Sequence, residues 1–128
     1  MSNAISRFAF PTPVAFGAGA RRLVGPHLLE RAIKRPLIVT DRALAALPLL
    51  AEFKSHLGGL EVAVFDGVFG NPTCAQVMAG AAAFKAHRAD AVIGFGGGAA
   101  LDVSKVVGLM AVHYGDVQIG RASCRERV

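Results

Sequence analysis

The stretch Ala91–Lys105, AVIGFGGGAALDVSK, joins a short apolar run to a helix-like segment through three consecutive glycines. The apolar run over 91–95 predicts a buried strand, and the spacing of apolar residues predicts a helix from about Ala99 to His113. Glycine adopts the backbone angles of a tight strand-to-helix turn without a steric penalty. Glycines also let a phosphate approach the main chain, and the helix that follows directs its free N–H groups towards the anion. The pattern predicts a phosphate site at Gly96, Gly97, Gly98 and Ala99.

Further strands and helices are predicted on the N-terminal side of this stretch. Short apolar runs at 37–40 and 60–65 predict two strands. Helices are predicted at about 25–34, at 43–57 with a break near Pro48, and at 73–87, where Thr73 and Gln76 form a capping-box pattern. Residues 8–16 are predicted to be extended. Short, continuously apolar strands that alternate with helices indicate an α/β fold with a parallel sheet covered on both faces.

Polar residues follow the strands at the ends where ligands bind in such sheets. Asp41 comes directly after the strand at 37–40, and Asp66–Asn71 follow the strand at 60–65. We expect both segments to lie at one edge of the sheet with the glycines. A carboxylate at position 41 can accept hydrogen bonds from both ribose hydroxyls and repels a 2′-phosphate, so we expect NAD to be preferred over NADP. Asp41 also suits the N-cap of a helix that starts at Arg42, and the two roles are compatible.

Composition and charge exclude several classes of protein. The chain is 53% hydrophobic and 18% charged, which is typical of a globular domain. No apolar run reaches the roughly 18 residues that a membrane span needs, and no signal peptide is apparent, so we expect a cytoplasmic protein with no membrane partner. Of the net charge of +5, residues 119–128 contribute +2, and the remaining basic residues are scattered. We therefore expect no nucleic-acid partner.

The last ten residues, IGRASCRERV, differ in character from the rest of the chain. They are arginine-rich and aperiodic, and they resemble a translation of sequencing-adapter DNA. We therefore expect residues 1–118 to form an incomplete dinucleotide-binding domain and residues 119–128 to be an artefactual tail, with a natural basic tail as the alternative.

Four separated motifs, taken in order, resemble the N-terminal part of the iron-containing alcohol dehydrogenases. They are FPTPVAFGAGA at 10–20, LIVTD at 37–41, FDGVFGNPT at 65–73 and GFGGGAALDVSK at 94–105. The resemblance implies an α/β dinucleotide domain followed by a helical metal-binding domain, and we expect the second domain to be absent from this chain. It also implies hydride transfer between NAD and an alcohol or aldehyde, helped by iron or another divalent metal. For the full-length protein we expect a homo-oligomer.

The resemblance also assigns cofactor-binding residues by position. Asp41 matches the acid that binds the adenosine ribose, Asn71 matches a residue that lines the cofactor cleft, and Gly96, Gly97 and Gly98 match the pyrophosphate loop. Ala99 stands where the family usually has Ser, so one hydroxyl donor is lost while the backbone N–H remains.

No catalytic residue and no metal ligand can be assigned in this chain. The four histidines show no close ligand spacing, and the family carries its metal ligands on the helical domain. We expect the chain alone to lack dehydrogenase activity. Two alternatives remain open: a fragment of a glycerol dehydrogenase or a dehydroquinate synthase-like enzyme, and a non-catalytic nucleotide-binding module. Histidines in the reading frame downstream would favour an iron enzyme over a module.

Overall fold

A computed structural model describes residues 5–9 and 13–112 of the chain. The strands are β1 (Ser6–Ala9), β2 (Pro13–Phe16), β3 (Pro36–Asp41), β4 (Ala63–Val68) and β5 (Ala91–Phe95). The helices are α1 (Val24–Glu30), α2 (Arg42–Ala45), α3 (Pro48–Ser55), α4 (Cys74–His87) and α5 (Gly98–Val112), and a 3₁₀ turn over Ala20–Leu23 precedes α1. In these ranges no helix is long and apolar enough to cross a lipid bilayer.

The predicted α/β architecture with a parallel sheet is confirmed. The sheet has three strands in the order β4-β3-β5, and β3 pairs in parallel with both neighbours. Leu37 of β3 lies opposite Ala63 of β4 and Val92 of β5. The chain therefore moves to one side of β3 to form β4 and then crosses to the other side to form β5. The gap between the ends of β3 and β5 is a topological switch point, where open α/β sheets bind ligands.

Both faces of the sheet are covered by helices, which explains why β3 has no alternation of polar and apolar residues. Leu37 and Val39 face α4 and α5, whereas Ile38 faces α1 and α3. All three side chains are fully buried. Two clusters form the core: Leu37, Val39, Val68, Val77, Val103 and Val107 on one face, and Leu28, Ile38, Leu50, Phe53 and Leu57 on the other.

The extended segment near the N-terminus forms a two-stranded antiparallel sheet of its own. β1 pairs with β2 so that Ser6 lies opposite Phe16 and Ala9 opposite Pro13. The extended conformation predicted for residues 8–16 is therefore present where the structure describes them. The pairing of the two strands was not predicted. Val14 and Phe16 are exposed on this hairpin.

The second predicted strand begins and ends too early. The observed strand β4 runs over Ala63–Val68, so Asp66 and Gly67 lie inside it and do not terminate it. Val68 is fully buried and pairs with Asp41 across a register shift, which carries the strand past the polar residues. The predicted helix at 25–34 is also too long, because α1 ends at Glu30. Ala32 then adopts φ of +59°, which is incompatible with a continuing helix.

Half of the predicted capping box forms. Thr73 Oγ1 accepts a hydrogen bond from the Gln76 N–H at 3.2 Å, as expected for an N-cap. The side-chain amide of Gln76 instead donates to the carbonyl of Phe69 at 2.8 Å. The reciprocal bond, in which Gln76 Oε1 would accept from the Thr73 N–H, is wrong, because Oε1 has no hydrogen-bond partner among the described residues.

Polar contacts tie together the starts of the three parallel strands, at the edge opposite the glycines. The Asp90 carboxylate accepts hydrogen bonds from the N–H groups of Lys34 and Arg35, both at 2.8 Å. The Arg35 guanidinium pairs with Glu61 and donates to the carbonyl of His87 at 3.0 Å. Desolvation raises the pKa of Asp90, but the hydrogen bonds from Lys34 and Arg35 and the nearby guanidinium outweigh it, so the pKa of Asp90 lies below its ordinary value.

Candidate dinucleotide site

Gly96 occupies a position where a side chain would be strained. Its φ is +144°, and a Cβ atom there would lie 3.0 Å from Leu44 Cδ1, 3.2 Å from Ala100 Cβ and 3.2 Å from Asp41 Oδ2. The first contact belongs to the segment after β3 and the second to α5. Gly96 is thus the point where the chain leaving β5 passes the end of β3 at close range.

Gly97 and Gly98 differ from Gly96 because the space around them is empty. A Cβ atom at either position would meet nothing within 4 Å, and both residues are exposed. The fold therefore does not require glycine here to avoid a clash. Here the main chain has no side chains and borders open space, so a ligand has room to contact the backbone. This segment, Gly96–Ala99, is called the glycine cradle below, and it fits a diphosphate.

Helix α5 begins at this cradle. The N–H of Leu101 donates to the carbonyl of Gly97 at 3.1 Å, which closes the first turn, so the N–H groups of Gly98, Ala99 and Ala100 precede the first helical bond. Ala99 packs against the core cluster that contains Val103 and Val107, so what it offers a ligand is its backbone N–H. The positive end of the α5 dipole lies at the same end and would favour an anion there.

Gly94 positions this helix, a role that sequence reasoning missed. A Cβ atom on Gly94 would lie 2.4 Å from Ser104 Oγ and 3.1 Å from Leu101 Cδ2, both on α5. The absence of a side chain lets α5 pack closely on β5 and keeps its first turn beside the end of the strand. A lone glycine within an apolar strand was the available signal for such a close approach.

Asp41 ends β3 and carries out the capping role considered above. Its Oδ1 accepts a hydrogen bond from the Leu44 N–H at 2.7 Å and caps α2, while its Oδ2 lies on the side of Gly96. The carboxylate is half-buried. The structure thus brings Asp41 and the glycine cradle together, as the topology predicts, and leaves one carboxylate oxygen directed towards the cradle.

Asn71 lies at the same edge but on the other side of β3. It follows Gly70, whose φ is +62°, in the exposed loop between β4 and α4. The loop lines an open, mainly apolar groove with Phe65, Phe69 and Gln76. Asn71 therefore belongs to the β4 side of the edge, whereas Asp41 and the glycines meet between β3 and β5.

Arg42 is a second residue that sequence reasoning missed. Its guanidinium carbon lies 4.5 Å from the centre of the Phe69 ring, which links the segment after β3 to the loop after β4. The sequence does contain a signal that singles out Arg42. Three segments leave the strands, at 41–47, 69–73 and 96–101, and Asp41 and Arg42 are their only charged residues.

The described ranges contain no group of three or more His, Cys, Asp or Glu side chains that could hold a metal ion. The residues described here therefore do not fit an iron site. His113, like the tail at 119–128, lies outside those ranges.

Comparisons with known proteins agree on the relationship. The chain is 35% identical over 121 residues to 1,3-propanediol dehydrogenase of Klebsiella pneumoniae, covering 91% of this chain and 31% of that protein. It is 34% identical over 115 residues to NAD-dependent methanol dehydrogenase of Bacillus methanolicus, covering 88% and 30%. The chain thus spans about a third of the length of these relatives.

Solved structures match as well. The crystal structure of a 1,3-propanediol oxidoreductase superposes with a TM-score of 0.74 at 35% identity, over 78% of this chain and 27% of that one. An alcohol dehydrogenase from Oenococcus oeni superposes with a TM-score of 0.72 at 28% identity, over 78% and 27%. The sequence profile described as iron-containing alcohol dehydrogenase matches residues 11–126. This chain is therefore a member of the iron-containing alcohol dehydrogenase family, to whose N-terminal part it corresponds.

Proposed function

We propose that this chain binds NAD at the carboxyl edge of its sheet. The diphosphate lies on the main-chain N–H groups of Gly96, Gly97, Gly98 and Ala99, the Asp41 carboxylate accepts the adenosine ribose hydroxyls, and Asn71 lines the cleft. The observation that carries the proposal is the close approach of Asp41 to Gly96. Asp41 Oδ2 lies only 3.2 Å from the point that a Cβ atom on Gly96 would occupy. A diphosphate held by the cradle places the adjoining ribose within reach of that carboxylate.

The residues described here bind and orient the cofactor, and bound NAD supplies a hydride acceptor or, when reduced, a hydride donor. The α5 terminus and the bare main chain hold negative charge at a fixed point. Asp41 fixes the ribose beside it, and α2 in turn fixes Asp41 through the bond from Leu44. The cofactor is thereby held at two points of one rigid sheet edge.

For the whole protein we propose an alcohol dehydrogenase that transfers hydride between NAD and an alcohol or aldehyde, with iron or another divalent metal as Lewis acid. The names of related proteins support this, including an NAD-dependent methanol dehydrogenase and an NADH-dependent butanol dehydrogenase from Thermotoga maritima. In this proposal residues 1–118 supply the cofactor-binding part, and residues 119–128 are an artefactual tail. A cytoplasmic homo-oligomer is part of the same proposal.

The substitution Gly97→Val tests the cradle without disturbing the fold. Because nothing lies within 4 Å of a Cβ atom at position 97, the valine should not clash within the protein, but it would occupy the space of the diphosphate. We expect calorimetry to show NADH binding to the unmodified chain and at least a tenfold weaker affinity for the variant, a loss of about 1.4 kcal/mol.

Gly58→Val is the matched control for this experiment. Gly58 also has open space around its Cβ position, and it precedes β4 at the opposite edge of the sheet. It should leave NADH affinity unchanged. Equal losses in the two variants, or no NADH binding by a folded unmodified chain, would contradict the proposed function.

A further inference from the structure

The carboxyl edge of the sheet has a simple charge arrangement. The segments 41–47, 69–73 and 96–101, which leave the three strands, carry one acid, Asp41, and one base, Arg42, adjacent in sequence; the exposed Asp66 lies inside β4, and Asp102 follows within α5. Asp41 Oδ2 is directed towards Gly96 on the β5 side, whereas Arg42 extends over Phe69 on the β4 side. The edge thus presents, in order, the anion cradle, a carboxylate and a guanidinium.

Arg42 contacts the ring of Phe69, and this contact favours one position of its guanidinium. The guanidinium lies 4.5 Å from the ring centre, and the face of the aromatic ring attracts the cation. Phe69 is 55% exposed, so this pair forms part of the surface that a ligand on the edge would meet. A planar guanidinium that is held in place loses less entropy on binding a phosphate than a mobile one does.

We propose that Arg42 is a specificity-determining residue that moderates the preference of this site for NADH over NADPH. The inference rests on the proposed function, because it places the adenosine ribose at Asp41. A phosphate on the 2′-oxygen of that ribose meets repulsion from Asp41 and attraction from Arg42, and an arginine beside the ribose is the usual partner of a 2′-phosphate. Asp41 sets the preference for the unphosphorylated sugar, and Arg42 limits how strong that preference becomes.

The test compares the dissociation constants of NADH and NADPH for four forms of the full chain, measured by cofactor fluorescence. These are the unmodified chain, Arg42→Gln, Asp41→Asn and the double variant. We expect Arg42→Gln to increase the NADH preference roughly three- to fivefold, as for a partly exposed charge pair. Asp41→Asn should lower the preference, because asparagine keeps the helix cap but removes the repelling charge. In that background, Arg42→Gln should weaken NADPH binding about fivefold or more.

Two controls separate this role from a general effect of charge or packing. Arg88→Gln removes an equal charge at the end of α4, near the amino edge of the sheet, and should leave the ratio of the two constants unchanged. The effect of Arg42→Gln should also shrink when the salt concentration rises from about 0.05 M to about 0.5 M, because salt screens exposed charges.

The outcomes distinguish this inference from the function beneath it. Failure of the unmodified chain to bind NADH would refute the proposed function and this inference with it. NADH binding with a ratio that Arg42→Gln does not change, or changes no more than Arg88→Gln does, would refute the inference alone. A salt-sensitive shift specific to Arg42 supports it.

Discussion

At the scale of single residues, the end of β3 places a buried hydroxyl beside the candidate site. Thr40 is fully buried in the central strand, and its Oγ1 has no hydrogen-bond partner among the described residues. Asp41, the next residue, caps α2 through Oδ1 and directs Oδ2 towards Gly96. These two adjacent polar side chains therefore have opposite effects on the free energy of unfolding. The unpaired buried hydroxyl lowers it, whereas the capping carboxylate raises it.

The substitution Thr40→Val should therefore stabilise the protein. Valine has nearly the same shape and removes a polar group whose burial without a partner costs about 1–3 kcal/mol. We expect the free energy of unfolding, measured in urea, to rise by about 1 kcal/mol. Thr73→Val is the matched control, because Thr73 caps α4 and its loss should lower that free energy by about 1 kcal/mol. A destabilised Thr40→Val variant would show that the hydroxyl has a partner in solution.

At the scale of elements, two helices end on residues other than glycine in the left-handed conformation. After α1, the Ile33 N–H donates to the carbonyl of Leu28 around Ala32, and after α4 the Ala89 N–H donates to that of Phe84 around Arg88. The values of φ at Ala32 and Arg88 are +59° and +56°. Glycine is the residue that such helix ends favour, so both ends store backbone strain.

Ala32→Gly should relieve this strain at one helix end. Ala32 is exposed, so the change removes little packing, and we expect the free energy of unfolding to rise by about 0.5–1 kcal/mol. The same substitution at Ala82, which is exposed within α4, should lower it by about 1 kcal/mol, because there the backbone is helical. Thermal denaturation of both variants checks the opposite signs. A loss of stability in both would contradict the assignment of the left-handed turn.

The sequence predicts elements well where a single signal dominates. The apolar runs at 37–40 and 91–95 predict β3 and β5, and Thr73 predicts the start of α4, because burial and capping act locally. The limits of β4 could not be predicted, since Asp66 and Gly67 look like a strand end until Val68 is seen paired with Asp41. The contact of Arg42 with Phe69 also depends on which strands are neighbours, which local patterns do not encode.

At the scale of the whole molecule, the two edges of the sheet have different roles, one structural and one at the candidate site. The amino edge is fastened by polar contacts among the segments that enter β3, β4 and β5, and Asp90 holds the first of these through two backbone bonds. The carboxyl edge brings the candidate ligand groups together. The buried central strand β3 joins the two edges, since it begins beside the contacts of Asp90 and ends at Asp41.

Asp90 gives the stability of the protein a defined pH dependence. Its pKa is lowered from the ordinary value of 3.8 on folding, so its contribution to stability is present above that value and is lost as the pH falls through the lower pKa of the folded state. We expect Asp90→Asn to lower the free energy of unfolding at pH 7, and the difference from the unmodified chain to shrink at about pH 3. Urea denaturation at both values measures this. A difference that is equal or larger in acid would contradict the assignment.

The central claim is that one sheet edge binds the cofactor through exposed main-chain N–H groups and one carboxylate. The most direct test measures which backbone N–H groups change their chemical shift when NADH is added. An NMR titration of ¹⁵N-labelled chain reports this residue by residue. The account predicts the largest shifts at Gly96, Gly97, Gly98 and Ala99, with smaller ones around Asp41. Shifts that cluster at the amino edge near Asp90 instead, or a folded chain whose amides at 96–99 do not move at saturating NADH, would contradict it.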